Sequence, residues 1–264
     1  MVEFLTSVPI PLLALFGGVF CFLCTSLGAG SVFFFKNSSQ KVLTPLLASA
    51  GGVMIASSFF SLLQPAVEYC DGDALKQIVF VVLGFLAGGG FIAFSNHILD
   101  KKIFKLQIPN LQNYKRNLLL VGSITLHNIP EGMAIGVAFG CCAVGDVGAV
   151  VLALGLVLGI GLQNIPEGAS VSIPLRRDGM KTGQAFFWGA MSGIVEPLFA
   201  LLACLLAMFV APVLPFLLAF SAGAMMIVAL IELIPESLSG SKNLTILFVA
   251  LGFCTMSLLD IVLG

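Results

Sequence analysis

Charged residues in this 264-residue chain gather in short clusters, and between the clusters run eight apolar stretches. Each is about as long as the roughly 20 residues of helix needed to cross a hydrocarbon core. Cut at the polar or turn-rich breaks, they cover approximately residues 9–34, 42–66, 77–99, 117–142, 147–174, 183–210, 212–236 and 243–263. The breaks are Lys36-Asn37-Ser38-Ser39-Gln40, Glu68 to Lys76, Asp100 to Arg116, Cys142 to Asp146, Arg176 to Thr182, Ala211-Pro212, and Ser237 to Lys242. None has room for a soluble domain, so residues 1–264 are expected to form one all-α polytopic membrane domain of eight transmembrane helices in a lipid bilayer. Composition agrees, with 59% hydrophobic and 9% charged residues against about 25% charged in soluble proteins. A net charge of −1 offers no basic face for nucleic acid, which removes that class of partner.

Positive residues set the orientation, because Lys and Arg are retained in the cytoplasm. With the N-terminus outside, the loops after helices one, three, five and seven are inside and hold 11 of the 12 positive residues, leaving Lys76 outside. Eight helices then place both termini outside, in a multi-pass cell-membrane protein. The opening Met1-Val-Glu-Phe4 lacks a positive n-region, which argues against a cleaved signal peptide. Seven cysteines, an odd number scattered mostly through apolar runs, are not a disulfide framework. Cys21-x-x-Cys24 has no second pair nearby and is read as small apolar filler.

An internal repeat joins helices four and five: Leu126-His-Asn-Ile-Pro-Glu-Gly132 and Leu162-Gln-Asn-Ile-Pro-Glu-Gly168, 36 residues apart and identical at six of seven positions. Neighbouring antiparallel helices make this repeat inverted in the membrane, the arrangement that places transporter sites at a repeat interface. A fainter echo joins helix two, from Ser49-Ala-Gly51 to Gln64-Pro65, with helix seven, from Ser221-Ala-Gly223 to Ile234-Pro235, its spacing differing by two residues.

Glu131, Glu167, Glu196 and Glu232 sit inside these stretches, and no Lys or Arg lies in any of them. An ionised group at the bilayer centre costs about 2.5–3.5 kcal/mol even on the lenient insertion scale. Bound cations are the compensation the residue types suggest. His127 and Glu131 are i and i+4, as are Gln163 and Glu167, so each pair shares a helix face. Asn128 and Asn164 lie one residue round and offer carbonyl oxygens to an adjacent position. Pro130 and Pro166 precede the two glutamates and free the carbonyls of Leu126 and Leu162. Glu196-Pro197 and Pro235-Glu236 repeat the pairing of proline with carboxylate. One imidazole with carboxylate and amide oxygens, and no thiolate, suits Zn²⁺, Fe²⁺ or Mn²⁺ better than Cu⁺, Ca²⁺ or Mg²⁺.

His127-Asn-Ile-Pro-Glu-Gly132 and Asn164-Ile-Pro-Glu-Gly168 resemble the signature of the Zrt/Irt-like (ZIP) family of divalent-metal transporters, in its prokaryotic-type short-loop branch. Supporting matches are Ala56-Ser-Ser-Phe-Phe-Ser-Leu-Leu-Gln-Pro-Ala66, Val195-Glu-Pro-Leu198, Ser221-Ala-Gly-Ala-Met225 and Glu232-Leu-Ile-Pro-Glu236. The resemblance implies eight helices in a 3+2+3 arrangement, with helices four and five central and holding a two-metal site. Carried over by matched position, one metal belongs to His127, Glu131, Gln163 and Glu167. A second belongs to Asn128, Asn164, Glu167 and Glu196, with Glu167 bridging. Glu232 matches a carboxylate on the metal's route. Gln163 stands where many members carry histidine, which broadens the expected choice from Zn²⁺ to Fe²⁺, Mn²⁺, Cd²⁺ and Co²⁺. The loop at residues 100–116 lacks the family's frequent histidine cluster, and His97, beside Asn96, is read as a structural hydrogen-bonding residue.

The function expected from these residues is transport of divalent transition metal, zinc first, into the cytoplasm. No ATP is involved, since no G-x-x-x-x-G-K-[ST] loop exists. No resident cofactor is expected, and a homodimer is compatible with the reading. The alternative is a proton-coupled or organic-substrate secondary carrier using protonatable carboxylates. An intramembrane metalloprotease, and with it an enzymatic role, is disfavoured because H-E-x-x-H needs a second nearby histidine. One conflict remains: Glu131 is 15 residues from Arg116 but Glu167 only 9 from Arg176, a depth mismatch of about 9 Å if both inner boundaries are level.

Overall fold

The computed structural model describes residues 8–34, 40–70, 72–104, 112–142, 147–209 and 214–263. The opening residues 1–4, positions 36–39 and 143–146 of two breaks, residues 105–111 of the loop expected at 100–116 and the break at Ala211-Pro212 lie outside them. Every regular element among the described residues is helical. In chain order the rods are α1 (Ile10–Ala29, extended by a 3-10 turn, Gly30–Phe33), α2 (Gln40–Ala56, a π turn Ser57–Leu63, then Gln64–Glu68) and α3 (Ala74–Lys76, a π turn Gln77–Val82, then Leu83–Phe104). There follow α4 (Gln112–Gly140), α5 (Val147–Arg177), α6a (Thr182–Met191) with α6b (Val195–Phe209), α7 (Leu214–Val228, a π turn Ala229–Leu233, then Ile234–Leu238) and α8 (Lys242–Leu263).

Seven spans among the described residues are long and apolar enough to cross a membrane, and they belong to every rod except α4. This is a polytopic, all-helical membrane protein. α4 opens on Gln112-Asn-Tyr-Lys-Arg-Asn117 and carries His127, Asn128 and Glu131 further along.

The same feature resolves the depth mismatch. α4 runs through Lys115 and Arg116, and its first residue is 19 positions before Glu131; α5 ends at Arg177, 10 positions after Glu167. The two glutamates nevertheless approach the same imidazole, so the helix ends are uneven and α4 extends further past the site. Both rods run on as helix through Pro130 and Pro166.

The stretch at 183–210, expected to be continuous, is broken. Between α6a and α6b the amides of Gly193 and Ile194 reach back only three residues, to Ala190 and Met191. Pro197 explains the break, since it has no N–H to give the Gly193 carbonyl, which accepts instead from Glu196 N at 3.0 Å. At the start of α6b a missing donor carries no penalty.

The echo between α2 and α7 is a shared π turn. Gln64 N–H reaches the Phe59 carbonyl and Ile234 N–H the Ala229 carbonyl, five residues back, immediately before Pro65 and Pro235. Each turn starts six residues after its glycine, Gly51 or Gly223. The two-residue difference in spacing therefore lies wholly in the turns, seven residues in α2 and five in α7.

The most extensive pairings sort the rods into two sets: α1, α4, α5 and α6, and α2, α3, α7 and α8. Close backbone approach at glycine locks both sets. In the second, a Cβ at Gly88 of α3 would run into the Phe220 carbonyl of α7, and one at Gly223 into the Phe85 carbonyl in return. In the first, Gly28 and Gly168 make the same exchange between α1 and α5, against Ile165 and Thr25. Without a hydrophobic drive between helices in lipid, such small-residue contact is what lets the rods pack. α4 and α5 lie between the sets, α4 also meeting α3 and α7, and α5 also meeting α2 and α8.

Gly88→Ala is expected to lower stability by about 1–3 kcal/mol, the usual range for overpacking. Gly90→Ala, whose Cβ meets nothing within 4 Å, is expected to leave it unchanged or slightly raised. Thermal unfolding in detergent distinguishes the two, and equal midpoints would contradict the packing of α3 on α7.

Candidate metal centre

The i, i+4 spacing on α4 and α5 turns both repeat motifs toward one buried locus. His127, Asn128, Glu131, Gln163, Asn164, Glu167 and Glu196 are all 1% exposed or less. His127 Nε2 lies 3.4 Å from Glu131 Oε1 and 3.5 Å from Glu167 Oε1. Gln163 Nε2 donates to Glu131 Oε1 at 2.6 Å, tying α5 to α4. Among the described residues, His127, Glu131 and Glu167 form the group of His, Cys, Asp or Glu that could hold a metal, their ligand atoms all within 4.8 Å of one another. A tetrahedron built on bonds of about 2.1 Å has edges of about 3.4 Å, so the imidazole and the two carboxylates stand at the spacing of a small four-coordinate ion.

The amides are fixed by their donor halves. Asn128 Nδ2 donates to the Ser192 carbonyl at 2.9 Å, which the α6 break leaves free, and Asn164 Nδ2 to Glu196 Oε2 at 2.8 Å. With the NH₂ groups so committed, the oxygens of Asn128, Gln163 and Asn164 have no hydrogen-bond partner. The same is true of both His127 ring nitrogens, Glu131 Oε2 and both oxygens of Glu167. Buried polar atoms are ordinarily satisfied. Here eight of them, on six of the seven residues singled out in the sequence, lie on α4 and α5 without a hydrogen-bond partner. Glu196 differs. It opens α6b, where the helix dipole favours a carboxylate. Both its oxygens are engaged, Oε1 by Thr25 Oγ1 at 3.1 Å, and it stands outside the triad.

Glu232 lies in the π turn of α7, its side chain 21% exposed, with Oε2 4.0 Å from His127 Nδ1. Its Oε1 accepts from Asn96 Nδ2 at 3.0 Å. Asn96 therefore does the bonding expected of its neighbour. His97 is exposed, and no hydrogen bond reaches it among the described residues, which corrects its reading as a structural hydrogen-bonding residue. Cys21 packs against α5, its thiol 3.6 Å from the Val157 carbonyl, and neither it nor Cys24 joins a metal-ligating group among the described residues.

Thr25, Ser192 and Asn96 were not anticipated as parts of the site. Thr25 had a signal, a hydroxyl within an apolar helix; Ser192 acts through its backbone and had none. Asp260 was also overlooked. It accepts from Ser61 at 3.0 Å, beside Glu68, in a cavity of about 460 Å³ where α2, α4 and α8 end.

The family model described as ZIP Zinc transporter matches residues 105–260. The chain is 31% identical to zinc transporter ZIP11 of Homo sapiens, over 95% of this chain and 97% of that one. It is 34% identical to zinc transporter ZIPB of Bordetella bronchiseptica, over 95% and 81%, and 35% identical to zinc transporter GufA of Myxococcus xanthus, over 82% and 85%. A family match over more than half of the chain and relatives aligned along nearly all of it lead to one conclusion: the chain belongs to the ZIP family, whose members are metal-ion transporters of membranes and not enzymes.

Proposed function

We propose that the chain carries divalent transition-metal ions, zinc foremost, across the cell membrane into the cytoplasm through a two-position site on α4 and α5. The observation that carries this reading is the grouping of His127, Glu131 and Glu167 among eight buried nitrogen and oxygen atoms that have no hydrogen-bond partner on two facing helices. Among the described residues no ion pair joins them to a Lys or Arg. A divalent ion supplies both the missing charge and the missing partners.

His127, Glu131, Gln163 and Glu167 make up the first position. Asn128, Asn164, Glu167 and Glu196 make up the second. Both oxygens of Glu167 are unpartnered, which is what a bridging carboxylate requires. Glu232, held by Asn96, stands beside His127 as the next oxygen on the ion's route. In this reading α4 is the eighth span, both termini are outside, and Fe²⁺, Mn²⁺, Cd²⁺ and Co²⁺ compete with zinc because Gln163 offers an amide where imidazole would be more selective.

Purified protein in liposomes is expected to pass Zn²⁺ or Cd²⁺ down a gradient without ATP, read with an internal metal-sensitive dye. Flux no greater than in empty vesicles would overturn the proposal, and a proton current without metal flux would favour a proton carrier.

Glu167→Ala is expected to reduce that flux by more than the roughly 10–100-fold that outer-shell metal partners typically command. Asn128→Ala and Glu196→Ala, which touch only the second position, are expected to retain more. Near-normal flux in Glu167→Ala, with protein present in the membrane, would exclude the shared ligand.

Gln163→His adds a second imidazole and is expected to raise the preference for Zn²⁺ over Mn²⁺, since nitrogen donors favour the later ion. Zinc turnover falls if release slows. Competition flux in wild type and variant measures the ratio, and an unchanged ratio in an active variant would mean that Gln163 does not touch the ion.

A further inference from the structure

His127 is the one imidazole of the proposed site, and the two nitrogens of an imidazole point away from one another. Nε2 is turned to Glu131 and Glu167, at 3.4 and 3.5 Å. Nδ1 is buried, has no hydrogen-bond partner, and is the nitrogen that Glu232 approaches, its Oε2 4.0 Å away. An oxygen on the Nδ1 side of the ring faces away from a cation held at Nε2. What it does face is the ring's N–H. A neutral imidazole can give a metal its Nε2 lone pair only when its proton is on Nδ1. Metal-ligating histidines ordinarily donate that second N–H to a carboxylate, a backbone carbonyl or water, which fixes the tautomer and aims the ring.

Glu232 is itself held. Asn96 Nδ2 donates to its Oε1 at 3.0 Å, leaving Oε2 on the His127 side. Both residues belong to the closely packed pair of α3 and α7. A Cβ at Gly84 would stand 2.8 Å from the Phe216 carbonyl oxygen, one at Gly88 would run into the Phe220 carbonyl, and one at Gly89 would stand 3.0 Å from Ile227 Cγ1. Followed further along both helices, the same register sets Asn96 opposite Glu232. The rods that carry no member of the triad thus supply a held acceptor to its imidazole. The gap of 4.0 Å exceeds a hydrogen bond by about 1 Å. A side chain that is 21% exposed, in a π turn, has the freedom to close it.

We propose that Glu232 is a positioning residue that accepts the Nδ1 proton of His127 and so presents the Nε2 lone pair to the cation, with Asn96 holding Glu232 in place. The inference rests on the metal-site reading above and gives Glu232 a part in holding the ion as well as in its passage. The two parts differ in what they change. A residue that serves only the ion's route alters the rate of passage, whereas an outer-shell partner of a ligand alters how tightly the resting site binds.

The test is calorimetric titration of zinc into the purified full chain in detergent, together with the histidine ring ¹⁵N resonances of the zinc-loaded protein. The chain has two histidines, and His97→Gln assigns them. In wild type the proton of His127 is expected on Nδ1 and the metal on Nε2. Glu232→Leu keeps the bulk and removes the acceptor, and is expected to weaken zinc binding about 10–100-fold, the usual cost of losing an outer-shell partner. In the same variant the Nδ1–H resonance is expected to lose the shift of a hydrogen-bonded proton, which a packing role for Glu232 would not alter. Asn96→Leu removes only the donor that aims Glu232 and is expected to weaken binding by less. Glu232→Gln still offers Nδ1 an oxygen, with the Asn96 amide turned to accept from it. It is expected to keep most of the affinity, which separates an accepted proton from a negative charge nearby. Zinc affinity unchanged in both Glu232→Leu and Asn96→Leu, or metal on Nδ1 in wild type, would overturn the inference and leave the metal site standing. A wild-type protein that binds no zinc would overturn the metal-site reading and the inference with it.

Discussion

The carboxylates of Glu131, Glu167 and Glu196 are held out of water, and among the described residues no lysine or arginine pairs with them. Desolvating a carboxylate is expensive even in a protein interior, and removing one partner from a buried set is more damaging than never having had it. The chain meets this with neutral donors. Gln163 bonds Glu131, while Asn164 and Thr25 bond Glu196. Of the three, Glu167 alone accepts no hydrogen bond at either oxygen, with Oε1 3.5 Å from His127 Nε2. Neutral donors give these carboxyl groups hydrogen-bond partners without supplying a positive charge. The glycine contacts among α1, α4, α5 and α6 bring the backbones close enough to exclude water from this locus.

Much of this was legible in the sequence because polarity inside an apolar run is expensive, so each polar residue there carries a reason. The repeat around Pro130 and Pro166 and the shared faces of His127 with Glu131 and Gln163 with Glu167 could be read from spacing, whereas Glu232 was placed near the site only by the family resemblance. What could not be read is backbone that departs from α-helix. The stretch over 183–210 gave no sign of breaking beyond Gly193 and Pro197, yet the break frees the Ser192 carbonyl that fixes Asn128. Helix ends were equally hidden, since charged residues such as Lys101, Lys102, Lys115 and Arg116 form helix well beyond the apolar limits that define a span. Partners contributed by distant helices, such as Thr25 to Glu196 and Asn96 to Glu232, depend on tertiary packing that no periodicity encodes.

The repeat also shows where similarity ends. α4 and α5 share a motif nearly residue for residue, and the donors and acceptors they supply are interleaved: the Gln163 amide on the Glu131 carboxylate, the His127 imidazole between Glu131 and Glu167. One substitution, His127 against Gln163, makes the pair chemically unequal and gives the cluster its single imidazole. In α2 and α7 the likeness is one of backbone. Each has a π turn before its proline, but the turn in α2 carries Ser61, which bonds Asp260, and that in α7 carries Glu232.

Those π turns bear on how the chain tolerates changes in its own length. Within a helix packed on both sides, inserting or deleting a residue ordinarily rotates everything beyond it by about 100° and takes the far half off its contacts. A π turn stores the extra residue as a local bulge, so the segments before and after it keep their phase. α2 and α7 differ by two residues between glycine and proline and still seat both glycines on their neighbours, Gly51 against Ile234 of α7 and Gly223 against Phe85 of α3. Residues 57–63 and 229–233 are thus the places within these two rods where single-residue insertion or deletion is least disruptive, and the π turn at residues 77–82 gives α3 the same slack.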